Sequence, residues 1–174
     1  MNGAGQCEKL TPDIHGSYIN GTWTILPTMH DSRLFFSSVM LTNGNVYVAG
    51  GEYGNANGYA ELYDPLANNW SIIQSGFFSS DACAMMLPNG NVLQSDSQSG
   101  YWIYNVTANI ITYAGPCEDM NETCWVRLPN DNVLGLTGYS TTSEHYVPSL
   151  NAWYPDNNSP VPLFGFGAEL GASF

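Results

Sequence analysis

The chain has 174 residues, with 3 Lys plus Arg against 15 Asp plus Glu, for a formal net charge of −12. Charged residues are only 10% of it, while apolar residues reach 44% and aromatics 13%, so a packed core is available and compositional disorder is excluded. Lys9, Arg33 and Arg127 are too few to neutralise a phosphate backbone, which excludes nucleic-acid binding through a basic face. No run approaches the ~20 apolar residues of a membrane-spanning helix.

The opening residues MNGAGQCEKL hold no apolar stretch of the kind a secretory signal needs, so a secreted form is expected to carry its signal upstream. The first structural signal is SYINGTW, ending at Trp23, and residues 15–26 read as two outer strands of an incomplete unit. A repeat then sets in. LTNGNV at 41–46 recurs as LPNGNV at 87–92 and LPNDNV at 128–133. Each is followed by a second phrase: YDPLANNW to Trp70, YNVTANII to Ile111 and YVPSLNAW to Trp153. From each ending to the next Leu anchor is 18, 17 and 17 residues, counting Trp23 as the first ending. Two anchors in step define units at about 33–73, 79–114 and 121–156.

Within a unit the short apolar runs Phe35–Leu41 and Val46–Val48, then Ala82–Leu87 and Val92–Leu93, are turn-bounded and predict strands. Asn43-Gly44 and Asn89-Gly90 predict tight type I′ hairpins, with Asn130-Asp131 a weaker version. Asp64-Pro65 starts a second turn in which Asn68 takes a left-handed position, and Trp70 opens a fourth strand. No segment carries a capped helical period. Each unit is therefore a four-stranded antiparallel meander with two apolar faces, which stacking around an axis would bury. The tail GAELGASF at 167–174 reads as the opening strand of a further unit.

A meander with Gly50-Gly51 after its second strand and Tyr63 and Trp70 on its third and fourth resembles a kelch repeat. LTPDIHGSYINGTW followed by such a unit is similar to the galactose-oxidase-like kelch propellers. The resemblance covers residues 15–156 and implies an all-β, partial kelch-type β-propeller of about three and a half four-stranded antiparallel blades, with 1–174 as one partial domain. It implies close backbone approach at the glycines and packing of Tyr63 and Trp70 between blades. Asp96-Ser97 and Thr137-Gly138 replace the glycine pair in the later units. A ring usually needs about six or seven blades. The chain is thus expected to be part of a longer propeller, or to close a ring with a missing half or by self-association.

Alignment on Leu41, Leu87 and Leu128 puts Phe35, Asp81 and Glu122 in one register and Ser37, Cys83 and Cys124 in another. In a propeller the first strand lines the axis, so Asp81 and Glu122 are candidate contacts for a cation or sugar hydroxyls. Tyr53 and Tyr139 follow second strands, in loops that propellers use for binding, and Arg33 heads the first unit as a candidate polar contact. Asp96 to Gly100 reads as an ordinary loop. No nucleophile elbow, zinc-protease motif or phosphate loop is present, so no catalytic residue, metal ligand or cofactor is assigned. The four cysteines, Cys7, Cys83, Cys117 and Cys124, leave their pairing open, with Cys83–Cys124 and Cys117–Cys124 both possible bridges. Sequons at Asn20, Asn69, Asn105, Asn121 and Asn157, even cysteines and scarce Lys favour an extracellular or surface location.

The expected function is a non-catalytic binding module for a protein or carbohydrate partner. One alternative is part of a copper-radical carbohydrate or alcohol oxidase. Copper would enter only there, and it needs two His and Tyr ligands that no spacing of His15, His30 and His145 identifies. His145 is expected to pack as a strand residue. The other alternative is a structural surface glycoprotein.

Overall fold

The computed structural model describes residues 5–52, 58–74, 83–96, 100–118, 125–138 and 140–162. Among these there is no helix. A two-stranded sheet comes first, β1 (Cys7–Thr11) with β2 (Thr22–Leu26). Three four-stranded antiparallel meanders follow. The first is β3 (Ser37–Met40), β4 (Val46–Ala49), β5 (Tyr59–Asp64) and β6 (Asn69–Gln74). The second is β7 (Ala84–Met86), β8 (Val92–Ser95), β9 (Gly100–Asn105) and β10 (Ile110–Pro116). The third is β11 (Val126–Arg127), β12 (Val133–Leu136), β13 (Ser143–Val147) and β14 (Ala152–Pro155). The partial unit begins earlier than residue 15, because β1 (CEKLT) pairs fully with β2 although it offers only Leu10 as an aliphatic signal.

The hairpin between the first two strands differs from the type I′ expectation. Gly44 N–H donates to Leu41 O at 2.9 Å and Leu41 N–H to Asn45 O at 2.8 Å. The same two bonds recur at Gly90/Leu87/Asn91 and Asp131/Leu128/Asn132. Only the fourth residue is left-handed (Gly44 φ 87°, Gly90 φ 81°, Asp131 φ 68°). This is a type I turn followed by a left-handed bulge residue. Pro88 and Pro129 explain it: they take the first central position, where the fixed φ near −65° suits type I. Asn43, Asn89 and Asn130 then accept the N–H two residues on.

The second turn is as expected at Asn68 (φ 52°) and repeats at Asn109 and Asn151 (φ 55° and 49°). Each of these Asn Oδ1 atoms receives a phenol from the third strand: Tyr63 at 2.7 Å, Tyr104 at 3.0 Å and Tyr146 at 2.7 Å. A Tyr five residues before a left-handed Asn therefore ties each outer turn to its own sheet.

The sheets bury their faces on one another. Between the first and second, Tyr47 stacks on Tyr104 at 5.2 Å beside Leu41, Val92 and Ile111. Ser37 Oγ donates across to Gln94 Oε1 at 3.0 Å. Between the second and third, Leu87, Leu93, Tyr101, Trp125 and Val133 pack together, and Tyr101 OH donates to Asn151 O at 2.7 Å. Tyr63 packs on Trp70, its cross-strand partner. Trp70 also reaches towards the preceding unit, donating its Nε1–H to Pro27 O at 2.9 Å, just past β2.

Candidate binding face

Antiparallel meanders sort their connections onto two ends. One end holds the two repeated turns of each sheet. The other holds the connections from second to third strand and from each sheet to the next. The strand ends Ala49 and Tyr59, Gln74 and Ala84, Ser95 and Gly100, Pro116 and Val126, and Leu136 and Ser143 all lie at this second end. Tyr53, Asp81, Glu122 and Tyr139 lie outside the described residues, as does Cys124. Their described flanks, Glu52 and Gly58, Gln74 and Cys83, Glu118 and Trp125, and Gly138 and Ser140, belong to this same end.

Arg33 is placed there too, but its guanidinium is buried. It donates to Gly50 O at 2.8 Å, Tyr59 O at 3.1 Å and Glu61 Oε1 at 2.9 Å. Those bonds fix the end of the first sheet. The Gly50-Gly51 pair permits the approach: Gly51 sits at φ 129°, and a Cβ there would lie 3.2 Å from both Leu34 O and Arg33 Cβ.

Glu61, in β5, is the residue the sequence reading missed. Its side chain is fully buried. Oε2 accepts His30 N–H and faces His30 Nδ1, both at 2.8 Å, while Oε1 accepts Asp31 N–H at 3.2 Å and Arg33 at 2.9 Å. Burial pushes its pKa up, but the His30 N–H, the Arg33 guanidinium, the His30 ring and the Asp31 N–H together hold it below the usual carboxylate range. The carboxylate thus pins the segment entering the first sheet. Counting back two residues from Tyr63 and Tyr146 gives the signal that would have found it: Glu144 is its counterpart and accepts Glu118 N–H at 2.9 Å, again from the segment entering its sheet. In the second sheet the same position is Trp102, whose Nε1–H donates to Asp96 Oδ2 at 3.3 Å. Asp96 Oδ1 also accepts Gly100 N–H at 2.9 Å, closing the loop between β8 and β9.

Thr137, Ser140 and Thr142 share a triangle of hydroxyl bonds. His145 lies in β13 as expected, stacked on Tyr154, with Nδ1 at 3.0 Å from Asp156 Oδ2. His15 is on the exposed β1–β2 connection, its N–H bonded to Asp13. Among the described residues no three His, Cys, Asp or Glu gather as a metal site, and no disulfide is formed. No helix among them is long and apolar enough to cross a membrane.

A motif model described as Kelch motif matches residues 33–76. No curated protein matches the chain. Among solved structures the chain is similar to YjhT, with a TM-score of 0.64 at 14% identity over 82% of this chain and 57% of that one. It thus spans little more than half the length of that protein. A second structure is a fungal alcohol oxidase of the AA5 family in complex with copper, at a TM-score of 0.48 and 20% identity over 80% and 47% of the two chains. That superposition is too loose to bear on fold or chemistry. Three antiparallel meanders packed face on face define the class, a β-propeller. With the motif at 33–76 it is a partial kelch-type propeller.

Proposed function

We propose that the chain is a binding module that holds a protein partner at the end carrying its inter-sheet connections. The asymmetry between the two ends supports this. One end is built from the same two hydrogen-bonded turns three times over. The other carries connections of differing length and composition, anchored from beneath by Glu61, Glu144 and Asp96. Variable loops held on a rigid sheet are where folds place recognition.

The test compares two surface variants of the natural protein. One carries Glu52→Lys and Glu118→Lys at the connection end, and the other Leu66→Lys at the turn end. Proteins co-purifying from the natural source are quantified by mass spectrometry. Loss of the same partner with the first variant and retention with the second is expected. Retention by both, or loss only with the second, overturns the reading. Competition by a soluble glycan would make the partner a carbohydrate.

A further inference from the structure

We infer that Leu34, Phe35 and Phe36 form a contact site for an apolar protein segment flanked by Lys or Arg, an assignment that rests on the binding reading above and deepens it. Three consecutive large apolar residues are 43%, 55% and 38% exposed just before β3, at the connection end of the first sheet. Phe35 takes φ 53°, a left-handed conformation that a bulky side chain rarely adopts. Asn or Gly would take that φ with less strain. Strain of this kind persists where surrounding structure enforces it, and it clusters at binding sites. The enforcement is visible. Glu52 N–H donates to Leu34 O at 2.9 Å, Gly51 lies tight beneath Leu34 and Arg33, and the buried Arg33 is locked to Gly50, Tyr59 and Glu61.

Charge selects the partner. Asp31, Glu52, Asp96, Glu118, Glu144 and Asp156 lie at this end, and its only Lys or Arg among the described residues is the buried Arg33. Arg127 is paired with Asp131 at the opposite end, and Lys9 lies in β1. An apolar contact on an end that carries these carboxylates repels nucleic acids and anionic membranes and attracts a cationic segment, with a rate that falls as salt rises.

The experiment uses short labelled peptides with a central Leu-Phe pair. One set has Lys/Arg flanks, a second Asp/Glu flanks, and a third Ser in place of the pair. Fluorescence anisotropy is read at about 0.05 and 0.5 M NaCl. Only the cationic apolar set is expected to bind, and high salt to weaken it about tenfold or more. Phe35→Asn should weaken binding about tenfold, because it removes the ring while keeping a residue that tolerates the left-handed φ. Phe36→Ser should also weaken binding. No preference for the cationic apolar set overturns the assignment. So does unchanged binding in both Phe35→Asn and Phe36→Ser. If the Glu52→Lys, Glu118→Lys variant loses a partner that Phe35→Asn keeps, the binding face stands and this contact falls. If neither variant loses it, both fall.

Discussion

Replacing Glu61 by Gln tests whether the connection end is anchored by one buried carboxylate. The wild-type carboxylate receives two contacts on each oxygen. An amide keeps one acceptor oxygen and turns its NH2 towards donors, so about half of these contacts fail. Arg33 is left buried with two carbonyl partners and only the more distant Asp31 carboxylate, at 3.8 Å, as countercharge. Breaking a buried pair from one side costs about 3–5 kcal/mol. The retained carbonyl bonds place the expected loss near the lower end, about 3 kcal/mol. Urea unfolding should show it as a lower midpoint at unchanged slope. Adding Arg33→Met should cost less than the sum of the single changes by about 1–3 kcal/mol, since the two side chains share one interaction. The pH dependence follows from the lowered pKa of Glu61. Its stabilisation is complete above the unfolded value of about 4.3 and is lost as pH falls through the lower folded value. The gap between wild type and Glu61→Gln should therefore narrow from pH 5 towards pH 2. A loss under about 1 kcal/mol, an additive cycle, or a gap independent of pH would refute the anchor.

Three further outcomes probe the repeated turns and the core. Asn68→Ala should destabilise by about 1–2 kcal/mol more than Asn68→Gly, because both lose the Tyr63 bond but only Ala strains at φ 52°; equal losses in urea unfolding would remove the backbone term. Asp131→Gly should raise the stability by up to about 1 kcal/mol, seen as a higher urea midpoint, since it relieves φ 68° and gives up only an exposed pair with Arg127. A lower midpoint would mean that the ion pair matters more than the turn. Burial, with a smaller push from Tyr101, raises the Tyr146 phenol to about 12, and burial raises Tyr47 and Tyr104 as well. The folded state favours these neutral phenols, so their contribution holds below an unfolded value of about 10 and is lost as pH climbs through the folded values. Phenolate absorbance should show some of the 11 tyrosines titrating only on alkaline unfolding, and simple titration of all of them in the folded chain would contradict the packing.

The parts legible in the sequence are those that solve the same backbone problem three times. Leu anchors, Asn turns and Tyr positions recur because each meander needs a left-handed residue at the same two corners. Their period revealed the sheets and their number. The hairpin type was misread because Asn-Gly was weighed without its neighbour. Pro at the preceding position in two of the three units already favoured type I. β1 was missed for the opposite reason: it is held by pairing with β2, and its exposed alternation carries almost no apolar signal.

The candidate face resisted reading because its residues do not repeat as types. One position in the third strand is Glu61, Trp102 and Glu144 in turn, and an alignment by residue identity discards it. The geometry shows a common role in two of the three, since both carboxylates hold an entering segment by its backbone N–H. Trp102 holds the loop within its own sheet through Asp96 instead. Arg33 looked like a free contact because a cation is rare in this chain, but that rarity is what the structure exploits. One buried guanidinium against one buried carboxylate fixes a segment whose other side chains, Leu34 to Phe36, are then presented to solvent. On the proposed binding role, the sheet repeats are the scaffold, and selectivity comes from the positions where the repeats disagree.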